Sequence, residues 1–278
     1  MIYSKKLGLA VQCAFKSASS SVNFFFNKNV LRLNNNNFFE PKNFPRYDYY
    51  ILSDRNQRLR VRVAIENIKD VPELNQWGLF PSGPLPESIL KEILDNTFTC
   101  ALVRNPWRRL VSSYSQACYL FANMHKMEHI QNQYKEVCVN GFQRSVKEKQ
   151  RIQHDLKLAE ILKPYNYEFE NKDGFKAFAE AVCRHSGLVN RHWEPQHLQI
   201  YNGRPWKYKY IGKVENINEF FQVLVDNGKN IEHREAPREN KGTNYNYQDY
   251  YDTKTVDMVG EFYQKDIELF DYEYVSLK

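Results

Sequence analysis

At 278 residues, with 42% hydrophobic and 26% charged, the chain is long enough for one large α/β domain and is not a disordered polymer. A formal charge of +6, without a long Lys/Arg block, speaks against a nucleic-acid-binding arm and suits an anionic small ligand. Five cysteines, odd in number and without a CxxC pair, suggest neither a zinc site nor a complete disulfide framework, which fits a reducing cytosol. Aromatics reach 15%, a surplus that either lines a cleft or reflects drift in composition.

Leu7 to Phe15 is a run of small and branched apolar residues, the pattern of a strand buried on both faces of a parallel sheet. It is too short to span a bilayer, and no targeting segment is visible. The polar run Lys16 to Ser21 follows, and a helix begins near Val22. Asn34 to Asn37 with Pro41 and Pro45 mark an irregular insertion. Tyr49 to Leu52 and Leu59 to Ile65 are expected as short strands, and Pro86 to Leu94 as a helix.

Phe98 to Val103 is a second buried strand running into Arg104, with Pro106 in the first turn of a helix that carries Arg108 to Phe121. Glu128 to Leu162 is a polar helical stretch, mostly a solvated face, stopped by Pro164. Then come a helix over Phe175 to Arg184, a loop from Asn190 to Tyr201, a strand over Tyr208 to Ile211, a helix over Ile217 to Asp226 and one closing helix over Val256 to Leu269. This alternation predicts a single three-layer α/β domain over residues 1–278 with a mainly parallel sheet, with residues 27–54 and 119–151 as variable loops on the acceptor side.

Three segments carry chemistry. In Lys16-Ser17-Ala18-Ser19-Ser20-Ser21, backbone N–H groups and hydroxyls open a helix and can cradle an anion, with Lys16 adding a mobile positive charge. The plainer reading is a serine-rich helix cap. In Arg104 to Tyr114, Arg104 leaves a buried strand and Ser112 lies two turns into the helix, so both can reach one phosphate at the carboxyl edge of the sheet; alternatively Arg104 and Arg109 make structural ion pairs. In Asn190-Arg191-His192-Trp193-Glu194-Pro195-Gln196-His197, His192 is either a general base in a pocket wall or a histidine that fixes a loop.

Together these segments resemble the sulfotransferases that use 3'-phosphoadenosine 5'-phosphosulfate (PAPS), and more closely the carbohydrate, Golgi-type enzymes of family 2 than the cytosolic steroid and phenol type. Phe15 to Ser21 is similar to the 5'-phosphosulfate loop of that family. Arg104 to Tyr114 resembles its 3'-phosphate motif R-[DE]-P-x-x-R-x-x-S-x-Y, with Asn105 in place of the usual acid. His192-Trp193 with Pro195, then Tyr210-Ile211-Gly212-Lys213 and Glu215, resembles the carbohydrate subgroup's HWxP and GK-x-E region. Tyr250-Tyr251, Tyr263, Asp266, Phe270 and Tyr272 resemble its C-terminal ending.

The resemblance implies a P-loop-like fold in a soluble, cytoplasmic form, with in-line transfer of a sulfuryl group from PAPS to the hydroxyl of a glycan or a small polar metabolite. No metal, nucleic acid or membrane segment is implied. Lys16 would neutralise the leaving oxygen, and residues Lys16, Ser17, Ala18, Ser19, Ser20 and Ser21 would hold the phosphosulfate. Arg104 and Ser112 would bind the 3'-phosphate, and Lys241, Gly242 and Thr243 would close over it. His192 is the expected base; since no histidine precedes Tyr119, Glu40, Asp48, Asp54 and Glu66 stand beside it as candidates. A P-loop kinase would need a Walker lysine after glycines, which is not evident here.

Overall fold

The computed structural model describes residues 2–4, 7–31, 50–53, 60–63, 91, 95–122, 146–184, 190–201, 207–234 and 245–274. The chain forms two compact units, Met1–Arg104 with Gln196–Lys241, and Asn105–Pro195 with Gly242–Lys278. The expected helix over Pro86 to Leu94, apart from Lys91, the insertion around Pro41 and all of Glu128 to Ser145 lie outside the described residues.

The first unit is built on a six-stranded sheet in the order β3-β4-β1-β2-β5-β6. Its strands are β1 (Ile2–Ser4), β2 (Leu9–Cys13), β3 (Tyr50–Ser53), β4 (Arg60–Val63), β5 (Phe98–Val103) and β6 (Tyr210–Lys213). β2, β5 and β6 run parallel, as does β1 with β4, whereas β1–β2 and β3–β4 are antiparallel. The sheet is therefore more mixed than the sequence led us to expect, because β1 is a strand that its short segment did not signal. Only a brief connection separates β1 from β2. Within it Leu7 N–H donates to Ser4 Oγ (3.2 Å) and Gly8 takes a φ of +62°, so the two strands fold back on each other.

Leu9, Ala10 and Val11 of β2 and Cys100, Ala101, Leu102 and Val103 of β5 are all fully buried, as expected of strands covered on both faces. Leu9, Val11, Cys100 and Leu102 pack against Val22, Phe25 and Phe26 of α1 (Ser19–Leu31) and against Phe220, Phe221 and Leu224 of a later helix, Ile217–Asn227. Gly212 of β6 lies flush under that later helix: a Cβ there would stand 2.3 Å from Phe220 Cδ2. Gly212→Ala should cost about 1–3 kcal/mol through overpacking against a buried ring. Urea unfolding tests this, and a change below ~0.5 kcal/mol would remove the packing explanation for this glycine.

The second unit is helical. Its helices are α2 (Pro106–Ala122), α3 (Val146–Leu162) and α4 (Lys172–Arg184), and then, after the chain has passed through α5 (Gln196–Ile200) and α6 (Ile217–Asn227) of the first unit, α7 (Thr253–Phe262) and α8 (Gln264–Phe270). On α2 the buried residues Trp107, Leu110, Val111, Tyr114, Ala117, Cys118 and Phe121 recur at helical spacing. They pack on Leu158, Ala159 and Leu162 of α3 and on Phe175, Phe178 and Val182 of α4. The last turns of α3 are thus core, not solvated face. Pro164 ends α3 as expected, within a single 3₁₀ turn over Lys163–Tyr165.

Two further expectations are corrected. The segment Asn190 to Tyr201 is a turn followed by α5, a short helix that begins directly after Pro195. The closing helix is two helices, α7 and α8, broken at Tyr263, whose hydroxyl is drawn into the core to the carbonyl of Trp193. Asp252 caps α7 by accepting from Thr255 N–H (2.8 Å) and Oγ1 (2.6 Å), and Lys176 Nζ lies 3.1 Å away. The two Thr255 hydrogen bonds, with Lys176 adding to them, hold its carboxyl at about 2, below the ordinary 3.8. A depressed carboxylate contributes stability that is present above pH ~4 and lost as pH falls toward 2. Asp252→Ala should cost ~1 kcal/mol at neutral pH and flatten the stability profile across that acid window.

Candidate active site

In the first unit, β2 and β5 end side by side, with Cys13 opposite Leu102, and the chain beyond each end carries a predicted ligand group. Beyond β2 the loop contains Lys16 at a φ of +66° and Ala18 at +52°. These non-glycine residues occupy the left-handed region, which costs about 1–2 kcal/mol each and is tolerated where surrounding contacts enforce it. Ser17, fully buried between them, donates N–H to Ala14 O (3.1 Å) and Oγ–H to Gln196 Oε1 (3.2 Å). Val22 N–H donates to Ala18 O (3.1 Å), so the N–H groups of Ser19, Ser20 and Ser21 lie in the first turn of α1, where no intrahelical acceptor exists. With the positive end of the helix dipole, these amides can hold an anion.

Beyond β5 comes Arg104. Its Nη1 donates to Lys16 O (3.2 Å), its N–H donates to Gln196 Oε1 (2.8 Å), and its carbonyl accepts from Gln196 Nε2 (2.8 Å). Lys16 and Ser17, separated in sequence from Arg104 by β3, β4 and β5, therefore belong with it to one hydrogen-bonded cluster. Gln196, fully buried at the start of α5, is its common partner.

In the second unit the His192 turn is held through its main chain. Arg109, 1% exposed on α2, donates through Nη2 to the carbonyls of Arg191 (3.1 Å) and Glu194 (2.8 Å). Ser113 Oγ donates to His192 O (2.7 Å), and Tyr263 OH to Trp193 O. Four consecutive carbonyls are thereby satisfied by three side chains. Burial pushes the Tyr263 hydroxyl pKa up, with Arg109 partly opposing it, so the phenol remains a donor at neutral pH.

The His192 ring is oriented separately. Asn190 Oδ1 lies 2.8 Å from its Nδ1 and also accepts its N–H (3.0 Å), while Asn190 Nδ2 donates to Asp155 Oδ1 (3.1 Å). An amide oxygen only accepts, so Nδ1 carries a proton, and in the neutral ring the lone pair lies on Nε2.

The sulfotransferase family matches residues 1–273, nearly the whole length and both units. The chain belongs to the sulfotransferase family. No curated protein and no solved structure matches it.

Several motif residues of this sulfotransferase prove to be framework. Arg109 and Tyr263 hold the His192 turn, Tyr114 OH donates to the carbonyls of Glu168 (2.9 Å) and Asn171 (3.0 Å), and Tyr251 OH donates to Trp107 O (3.0 Å). Asn105, in place of the usual acid, caps α2 by accepting from Arg108 N–H (3.2 Å), and its Nδ2 donates to Glu273 O (3.2 Å), a bond no carboxylate could make. Ser112 is half-buried on α2. Lys241, Gly242, Thr243, Glu40, Asp48, Asp54 and Glu66 lie outside the described residues.

Gln196 is the residue that motif reading passed over. It stands one position after Pro195 of the HWxP segment, and a polar residue opening a helix there was the available signal. Burial raises the thiols of Cys13 and Cys100 to about 12 and that of Cys118 to about 11, leaving them protonated and unreactive at neutral pH. Among the described residues, no group of three or more His, Cys, Asp or Glu could hold a metal ion, and no helix is long and apolar enough to cross a membrane.

Proposed function

We propose that this sulfotransferase moves a sulfuryl group from PAPS to the hydroxyl of a glycan or sugar-like acceptor. The observation that carries the reading is the joining of the Lys16 loop and Arg104 at the carboxyl ends of adjacent parallel strands, where α/β sheets bind nucleotides. The first-turn amides of α1 suit the 5'-phosphosulfate and the Arg104 guanidinium suits the 3'-phosphate, since both are donors that anionic oxygens accept from. Sulfur passes in line from the bridging oxygen to the acceptor oxygen. As the old S–O bond breaks, charge grows on the leaving 5'-phosphate, where the Lys16 ammonium stabilises it.

Ser112 and His192, which the family motifs assign to the same reaction, are carried by the second unit. His192 Nε2 takes the acceptor proton as the new O–S bond forms, and the Asp155–Asn190 pair keeps the proton of the resting imidazole on Nδ1. His192→Ala should lower kcat about 10²–10⁴-fold with unchanged affinity for 3'-phosphoadenosine 5'-phosphate. Turnover that survives the substitution places the base elsewhere, and Glu40, Asp48, Asp54 and Glu66 become the next sites to mutate.

Transfer itself is tested with ³⁵S-labelled PAPS and a panel of monosaccharides, oligosaccharides and small polar alcohols. Label in a sugar product, with one bisphosphate released per transfer, is the expected result. Label only in small non-sugar alcohols would replace the acceptor class, and absence of transfer to any hydroxyl would overturn the proposal.

A further inference from the structure

We infer that Gln196 is a positioning residue that couples the two phosphate-holding segments, so that the geometry of the Lys16 loop and the grip of Arg104 on a 3'-phosphate are set together. The inference rests on the donor assignment above.

One carboxamide, fully buried, fills three roles at once: Oε1 accepts from Arg104 N–H and Ser17 Oγ–H, and Nε2 donates to Arg104 O. The paired bonds to Arg104 imitate a neighbouring strand just where β5 ends, fixing the backbone from which the guanidinium projects. The Ser17 bond reaches into the other loop, between two residues held in the left-handed conformation. The Arg104 Nη1 contact to Lys16 O closes the circuit, so a shift of Arg104 is also a shift of the lysine's own peptide. An amide side chain is required, because a carboxylate cannot donate to Arg104 O and an apolar side chain would take this partner from Arg104 N–H, Arg104 O and the buried Ser17 hydroxyl. Gln199 of the same short helix extends the clamp by accepting from Phe15 N–H through Oε1 (2.8 Å).

The test reads the contribution of the 3'-phosphate, measured calorimetrically as the ratio of dissociation constants for adenosine 5'-monophosphate and 3'-phosphoadenosine 5'-phosphate. In Gln196→Met this ratio should fall roughly tenfold, and kcat should fall more than the KM for PAPS rises. Ser17→Ala is the milder variant, and it answers the question if the methionine variant does not fold. Ser17 lies in the 5' loop, so a purely local role would weaken both nucleotides equally and leave the ratio alone; coupling through Gln196 predicts a drop of about threefold to fivefold. An unchanged ratio in folded Gln196→Met, or in Ser17→Ala, would overturn the coupling. If the wild-type chain itself shows no preference for the bisphosphate, the donor assignment fails, and the inference with it.

Discussion

Replacing Lys16 by methionine should lower kcat about 10²–10³-fold while changing the affinity for 3'-phosphoadenosine 5'-phosphate by less than about threefold. The asymmetry follows from when the charge appears. On the proposed reading the first-turn amides of α1 hold the phosphosulfate and Arg104 the 3'-phosphate in the ground state, and the substitution removes neither. In the transition state negative charge moves onto the bridging oxygen, and only a cation at the loop can follow it. Methionine keeps the length and unbranched shape of the lysine stem, so the left-handed backbone at residue 16 has no new reason to rearrange. Single-turnover kinetics beside calorimetry separates the two effects. Equal losses in binding and turnover would make Lys16 a ground-state ligand and leave the leaving-group role unfilled.

Arg109→Met is expected to have the largest effect on stability, about 3–5 kcal/mol, or a fall in Tm of the order of 10 °C. The guanidinium is 1% exposed and its Nη2 serves two carbonyls of the His192 turn, so its replacement takes this charged donor from both. Ser113 and Tyr263 would still hold the two carbonyls between them, leaving the turn attached in the middle and loose at its ends. Turnover should fall with stability, even at temperatures where the variant is folded, because that turn fixes the position of the backbone from which the His192 ring projects. A variant of native Tm and native kcat would show that the turn is held from elsewhere.

Much of the scaffold could be read because the signals were local. Phe98 to Val103 is a strand to the residue, since an unbroken apolar run ending at a charged residue has few other uses, and Pro106 does open α2. The Lys16 loop and Arg104 are singled out by the same logic, as polar groups leaving the ends of buried strands. What escaped was long-range. Nothing near Gln196 announces that its partners are Ser17 and Arg104, and nothing near Tyr263 points to Trp193. Periodicity reports which face is buried but not which distant carbonyl a buried polar group must satisfy. The break between α7 and α8 was missed for that reason: apolar spacing continues across Tyr263 although its hydroxyl is claimed by another segment. β1 was missed because Ile2–Ser4 is too short to show alternation.

A thermal-shift titration comparing 3'-phosphoadenosine 5'-phosphate, adenosine 5'-monophosphate and ATP should show strong stabilisation by the bisphosphate, weak stabilisation by the monophosphate and no advantage for ATP. At a ligand concentration a hundred times Kd the expected gain is about 2.7 kcal/mol. Stabilisation by ATP alone would contradict the assignment of Lys16 and Arg104 to the two ends of one PAPS molecule.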